Sequence, residues 1–141
     1  MVIIDYPQLI SAPAEERRSA NLEREVAKIN RAANLLAKER NIPIFLLAWL
    51  LRKTEEYVDK MPLLSYLRES ETIEQDADMV TLIDRPAVYD TREFDGGKYG
   101  MIDARGVGRL TIARNREDYT GFIPFCHNKS KATIHDFDIV I

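Results

Sequence analysis

The stretch MVIIDYPQLI, residues 1–10, sets the fold. Val2, Ile3 and Ile4 form a short all-apolar run, the pattern of a strand covered on both faces. Asp5 follows directly, and open α/β sheets bind their ligands at the carboxyl ends of such strands. Working outward, Leu22, Val26, Ile29, Ala33 and Leu36 recur at spacings of four, three, four and three, one apolar stripe along a helix. Asn41 and Pro43 end that helix. IPIFLLAWL, residues 42–50, is a second continuous apolar run and predicts a second buried strand. Strand, helix, strand within about fifty residues predicts a right-handed βαβ unit with parallel strands.

Residues 51–70 are polar and broken by Pro62, which predicts a long loop. Thr72-Ile-Glu-Gln75 has the form of a capping box and predicts a short helix. MVTLIDR, residues 79–85, predicts a third strand. Gly96, Gly97, Gly100 and Gly106 punctuate a charged segment from Pro86 to Gly108, expected to be mobile. GRLTIAR (108–114) and GFIPFCH (121–127) predict an antiparallel hairpin across NREDYT, with Pro124 at an edge or bulge. ATIHDFDIVI adds a further strand. The fold class is therefore α/β, parallel strands followed by an antiparallel hairpin, in one domain spanning 1–141.

Composition narrows the class. With 45% hydrophobic and 30% charged residues, the chain is an ordinary globular one. No apolar stretch approaches the roughly 20 residues that cross a bilayer, and the start lacks a signal-peptide pattern. The single Cys126 fits a reducing compartment, so cytoplasm is expected. The net charge of −3 is unevenly spread: residues 69–95 carry nine acids and two basic residues, residues 98–131 seven basic residues and three acids. Such asymmetry gives two electrostatic ends.

An apolar run ending in aspartate resembles a Walker-B strand, whose carboxylate supports Mg²⁺ beside a nucleotide. The partner signal, a GxxxxGK[ST] loop, does not occur in these 141 residues. Arg68 is a fork-shaped donor suited to a phosphate, close to the capping Thr72. Arg114 and Arg116 follow the Leu110/Ile112 alternation, which predicts two guanidinium groups on one face and a local anion site. Glu74, Asp76 and Asp78 lack calcium-loop spacing, and a solvated helix explains them better. His127 and His135 have no metal-ligand spacing with the lone cysteine and read as structural.

The ordered set IIDYPQLI (3–10), LEREVAKINRAANLLAKERNIP (22–43) and DKMPLLSYLRESETIEQDADMV (59–80) resembles the DnaB-type replicative helicases. LRES-x-x-IEQDAD at this distance from DYxQLI is the specific part. The resemblance implies a partial RecA-like, P-loop NTPase-type core belonging to a hexameric, ATP-driven helicase that moves on single-stranded DNA. In that family the P-loop and the catalytic glutamate precede the Walker-B strand. This chain is therefore expected to represent the C-terminal half of the motor, inactive alone and completed by a P-loop-containing half or by helicase subunits.

Residue by residue, Asp5 matches the Walker-B aspartate, and the complete motor would use Mg²⁺ and ATP. Arg68 and Glu69 match the loop that touches the DNA backbone, with Glu71 where the family has glycine. Arg116 resembles the arginine finger offered to a neighbouring subunit's γ-phosphate, and Arg114 stands where a lysine is usual. Other departures are Trp49 for a γ-phosphate-sensing glutamine, Tyr66 for aspartate, and EDYTG (117–121) for NGPTG. Indole is a donor only and cannot replace the carboxamide. Glu71 adds a side chain and a negative charge where a backbone approaches phosphate. Trp49 and Glu71 favour an alternative, a non-catalytic assembly partner of a hexameric helicase; the retained Asp5, Arg114 and Arg116 favour the motor.

Overall fold

The computed structural model describes residues 1–6, 22–48, 50, 61–66, 76–117 and 119–137. The chain divides into two compact units, Met1–Leu51 with Leu64–Asp78, and Arg52–Leu63 with Met79–Ile141.

In the first unit, β1 (Val2–Asp5) and β2 (Ile44–Leu47) pair in parallel, with Val2 opposite Ile44 and Asp5 opposite Leu47. Helix α1 (Leu22–Arg40) lies between them in sequence, so the expected parallel strand–helix–strand unit is present. Its end is a two-bond cap. Asn41 adopts the left-handed conformation (φ 50°), its N–H donates to the Lys38 carbonyl at 3.4 Å, and the Ile42 N–H donates to the Ala37 carbonyl at 3.1 Å. Asparagine tolerates this conformation better than most residues, which is why the helix stops there. Pro43 follows and offers its carbonyl to the Val2 N–H at 3.0 Å.

Three details differ from the sequence reading. The second strand is four residues long, since Pro43 has no N–H to contribute and the ladder starts after it. Val2 and Ile3 are 37% and 58% exposed, and Phe45 and Leu47 are also exposed. A strand buried on both faces needs a layer on each side, whereas among the described residues β1 has one strand neighbour. On α1 the buried stripe is Val26, Asn30 and Ala33, a spacing of four and three, while Leu36 is exposed. The amide of Asn34, one turn after Asn30, donates to the Asp76 carbonyl. The Thr72–Gln75 capping box lies outside the described residues.

The second unit is built on a four-stranded antiparallel sheet in the order β3 (Met79–Asp84), β6 (Val107–Asn115), β7 (Gly121–Asn128), β8 (Thr133–Asp136). The antiparallel part is thus larger than a hairpin, since MVTLID joins it as an outer strand. Between β3 and β6 the chain makes a second hairpin, β4 (Glu93–Asp95) with β5 (Met101–Asp103), around a short 3₁₀ turn at Gly97–Tyr99. This corrects the expectation of a mobile Pro86–Gly108 segment. Its glycines make turns, while Phe94, Ile102, Ala104 and Val107 form the buried core, flanked by Tyr99, Phe122 and Phe137. Phe94 and Ile102, opposite each other across the hairpin, are its buried residues.

Register sorts the sheet into two faces, because directly opposed residues project to the same side. Val80, Leu82 and Asp84 share one side with Val107, Arg109 and Thr111, and with Phe122, Pro124 and Cys126. The other side carries Ile83, Leu110, Ile112, Ile123 and Phe125. Pro124 sits where expected. β8 covers β7 only from Phe125 to Asn128, so the missing proline N–H falls one residue beyond the ladder.

Candidate functional site

Asp5 closes β1 and is exposed, with its backbone opposite Leu47 of the parallel neighbour. The Asp5–Tyr6 peptide is cis. A carboxylate at the carboxyl end of a parallel strand is placed for a ligand by the general rule for α/β sheets. Its chemistry suits a supporting role toward magnesium. That ion keeps several waters and takes one or two protein carboxylates, the remaining oxygens coming from phosphates. No group of three or more His, Cys, Asp or Glu residues that could hold a metal alone exists among the described residues. An exposed carboxylate in this place suits an ion whose other ligands are water and phosphate oxygens.

The arginine pair lies in the second unit, at the β6–β7 connection. The last β6–β7 pair is Ile112 with Gly121, so β6 runs past that ladder from Ala113 onward. On the other side β3 still supports the strand, with Val80 opposite Arg114 and Met79 opposite Asn115. Here the register shifts: Thr81 pairs with Ile112 and Val80 with Arg114, leaving Ala113 as an extra residue. Bulges redirect side chains. The simple alternation would put Arg114 on the Ile112 side. The bulge assigns it to the Val80 side instead, and this corrects the sequence reading. Arg116 is the first residue past the strand and is exposed. The bulge lies upstream of both arginines, and strand alternation ends at Asn115, just before Arg116.

A side chain, not the strand, shapes the turn that follows. The Asn115 Oδ1 accepts the Glu117 N–H at 3.2 Å, an Asx turn spanning Arg116. Gly121, at the far end, has φ 152°, a conformation that L side chains rarely adopt. Of the two acids expected beside the finger, Glu117 is exposed and Asp118 lies outside the described residues.

Arg68, Glu69 and Glu71 also fall outside the described residues, as does Trp49; Tyr66 ends a 3₁₀ turn at Leu64–Tyr66. The His127 N–H donates to the Gly106 carbonyl at 2.8 Å, and the His135 Nε2 lies 3.0 Å from the Thr133 hydroxyl. Two features escaped the sequence reading altogether. Asp84 and Arg109 form a buried ion pair, and Asn115 braces the arginine loop. The only advance signal was an acid and a base within otherwise apolar strands.

Solved structures give the class first. The chain has the fold of part of a RecA-like helicase ATPase domain. It superposes on one solved ATPase domain with a TM-score of 0.80 and 27% identity, covering 97% of this chain and 44% of that one. The same score and identity relate it to a DnaB-like replicative helicase solved in a study of its interactions with primase, over 97% of this chain and 30% of that one. The family follows from the sequence: the chain belongs to the DnaB-like helicase C terminal domain family, matched over residues 1–136. It is 43% identical over 105 residues to the replicative DNA helicase DnaB of Leifsonia xyli subsp. xyli, covering 74% of this chain and 22% of the relative. With the DnaB of Haemophilus influenzae it shares 39% identity over 121 residues, 86% of this chain and 23% of the relative. The chain spans less than a quarter of the length of these curated relatives.

Proposed function

We propose that this chain serves as the C-terminal half of the ATPase core of a replicative DNA helicase, acting in the cytoplasm on single-stranded DNA within an oligomeric ring. The observation that carries the reading is the family match over residues 1–136. In this reading Asp5 supports the Mg²⁺ of a bound ATP, and Arg116, seconded by Arg114, serves the γ-phosphate in a neighbouring subunit. Arg68, Glu69 and Glu71 form the DNA-facing loop. A phosphate cradle is not encoded in these 141 residues, so it must come from another part of the assembly. An arginine finger acts in trans, which lets residues 113–121 contribute without a nucleotide site of their own. The assembly-partner alternative rests on Trp49 and Glu71 alone, while the relatives are helicases.

The test is DNA binding across a salt series, followed by anisotropy of a labelled oligothymidine. Binding should weaken as salt rises, and Arg68→Ala should lower the slope of log affinity against log salt by about one. Glu71→Gly should bind more tightly than the parent. Absence of binding by both the parent and Glu71→Gly overturns the DNA reading. In a parallel titration the chain alone should not bind Mg-ATP tightly, and tight binding would overturn the assignment of the phosphate cradle to another part of the assembly.

A further inference from the structure

Arg116 is the first residue beyond the ladder pairs that β6 makes with β3 and β7, so its backbone belongs to the turn and not to the sheet. The residue before it defines that turn. Asn115 is anchored on both counts: its backbone makes the final pair with Met79, and its carboxamide oxygen accepts the Glu117 N–H at 3.2 Å. The strand end and the turn are thereby joined through one side chain. The bulge at Ala113 acts just upstream, setting which side of the strand Arg114 takes before the turn begins.

We infer that Asn115 is a positioning residue for Arg116, fixing the turn from which the guanidinium reaches a phosphate. The inference rests on the proposed role of Arg116 and goes beyond it by naming what orients that side chain. An arginine tip sits several rotatable bonds from its Cα, so a loose turn spreads it over many positions. A single Asx bond narrows that spread by holding the backbone on both sides. Serine can make the same kind of turn, more weakly, whereas alanine cannot. Arg114 stays on the paired strand and is an internal control, since loss of the Asn115 side chain leaves its pairing with Val80 in place.

The experiment uses the 141-residue chain with labelled arginine side chains and inorganic tripolyphosphate as the probe. The Nε–Hε resonances of Arg114 and Arg116 are followed by NMR as the probe is added. The Arg116 resonance should move in the parent. Its midpoint should rise about two- to ten-fold in Asn115→Ala, the factor corresponding to one net hydrogen bond. Asn115→Ser should stay close to the parent, and the Arg114 response should be the same in all three. An Asn115→Ala midpoint equal to the parent's overturns the inference while leaving the role of Arg116 standing. Equal weakening at Arg114 and Arg116 also overturns it, because Asn115 would then be merely structural. No response of Arg116 in the parent overturns both.

Discussion

Arg109 grips Asp84 with a two-pronged ion pair that is almost wholly buried. Its Nε lies 3.1 and 3.2 Å from the two carboxylate oxygens and its Nη2 lies 2.7 Å from Oδ2, with side chains 11% and 5% exposed. The two residues are direct partners across β3 and β6, and the Phe94 ring lies 4.9 Å from the guanidinium carbon. One arginine thus ties the sheet to the β4–β5 hairpin. Removing either partner strands the other charge in the interior, so Arg109→Ala and Asp84→Ala should each cost about 3–5 kcal/mol. Arg109→Lys keeps the charge but loses the fork, and should recover only part of that. Urea denaturation checks it: an unchanged midpoint for Arg109→Ala would show the pair to be dispensable.

Gly108 and Phe125 face each other across β6 and β7, and the aromatic ring occupies the space that a side chain at Gly108 would need. A Cβ there would stand 2.3 Å from the Phe125 Cζ. Gly108→Ala should therefore destabilise by about 1–3 kcal/mol through overpacking. Phe125→Leu removes the obstructing ring edge, so the Gly108→Ala cost should shrink in that background. A double-mutant cycle in thermal melts measures this coupling, and strictly additive effects would show that the ring simply swings aside.

The local grammar of the chain was readable in advance, the long-range choices less so. Apolar periodicity located α1, β1, β2 and the β6–β7 hairpin, since each depends on neighbours in sequence. It missed the β4–β5 hairpin, because Gly96, Gly97 and Gly100 with their charged neighbours mask the alternation of Phe94, Ile102 and Ala104. Asp84 and Arg109 stand 25 positions apart in sequence, and only strand pairing puts them opposite each other. The site shows the same division. Arg114 and Arg116 were picked out by type and family likeness. Their directions depend on the bulge at Ala113 and the Asn115 turn, and neither follows from periodicity.

Asp103 offers a pH test at the surface. The Arg105 side chain, bonded to both carboxylate oxygens, and the Arg105 backbone N–H hold its pKa down, from 3.8 to about 2. A depressed carboxylate contributes stability above its unfolded value, so this contribution is present above pH 3.8 and is lost as pH falls through about 2. The pair is solvent-exposed, so salt should weaken it and neutral-pH stability should barely depend on it. Arg105→Ala should return the Asp103 midpoint most of the way to 3.8, the backbone N–H retaining the remainder. An NMR titration of the carboxyl carbon reads this directly, and a midpoint still near the parent's would assign the shift to the backbone alone.

Asn30 occupies a core position of α1. It is 5% exposed, in line with Val26 and Ala33, and neither its Oδ1 nor its Nδ2 has a hydrogen-bond partner among the described residues. A buried unsatisfied polar group costs about 1–3 kcal/mol, and an apolar side chain of similar shape avoids that cost. Leucine is close in size and is the better helix former. Asn30→Leu should accordingly raise the melting temperature by several degrees, whereas Val26→Ala on the same stripe should lower it through a cavity. Differential scanning fluorimetry of the two variants settles the sign. A lower melting temperature for Asn30→Leu would mean that the carboxamide meets a polar partner in solution, and the α1 stripe would then have a polar contact at its centre.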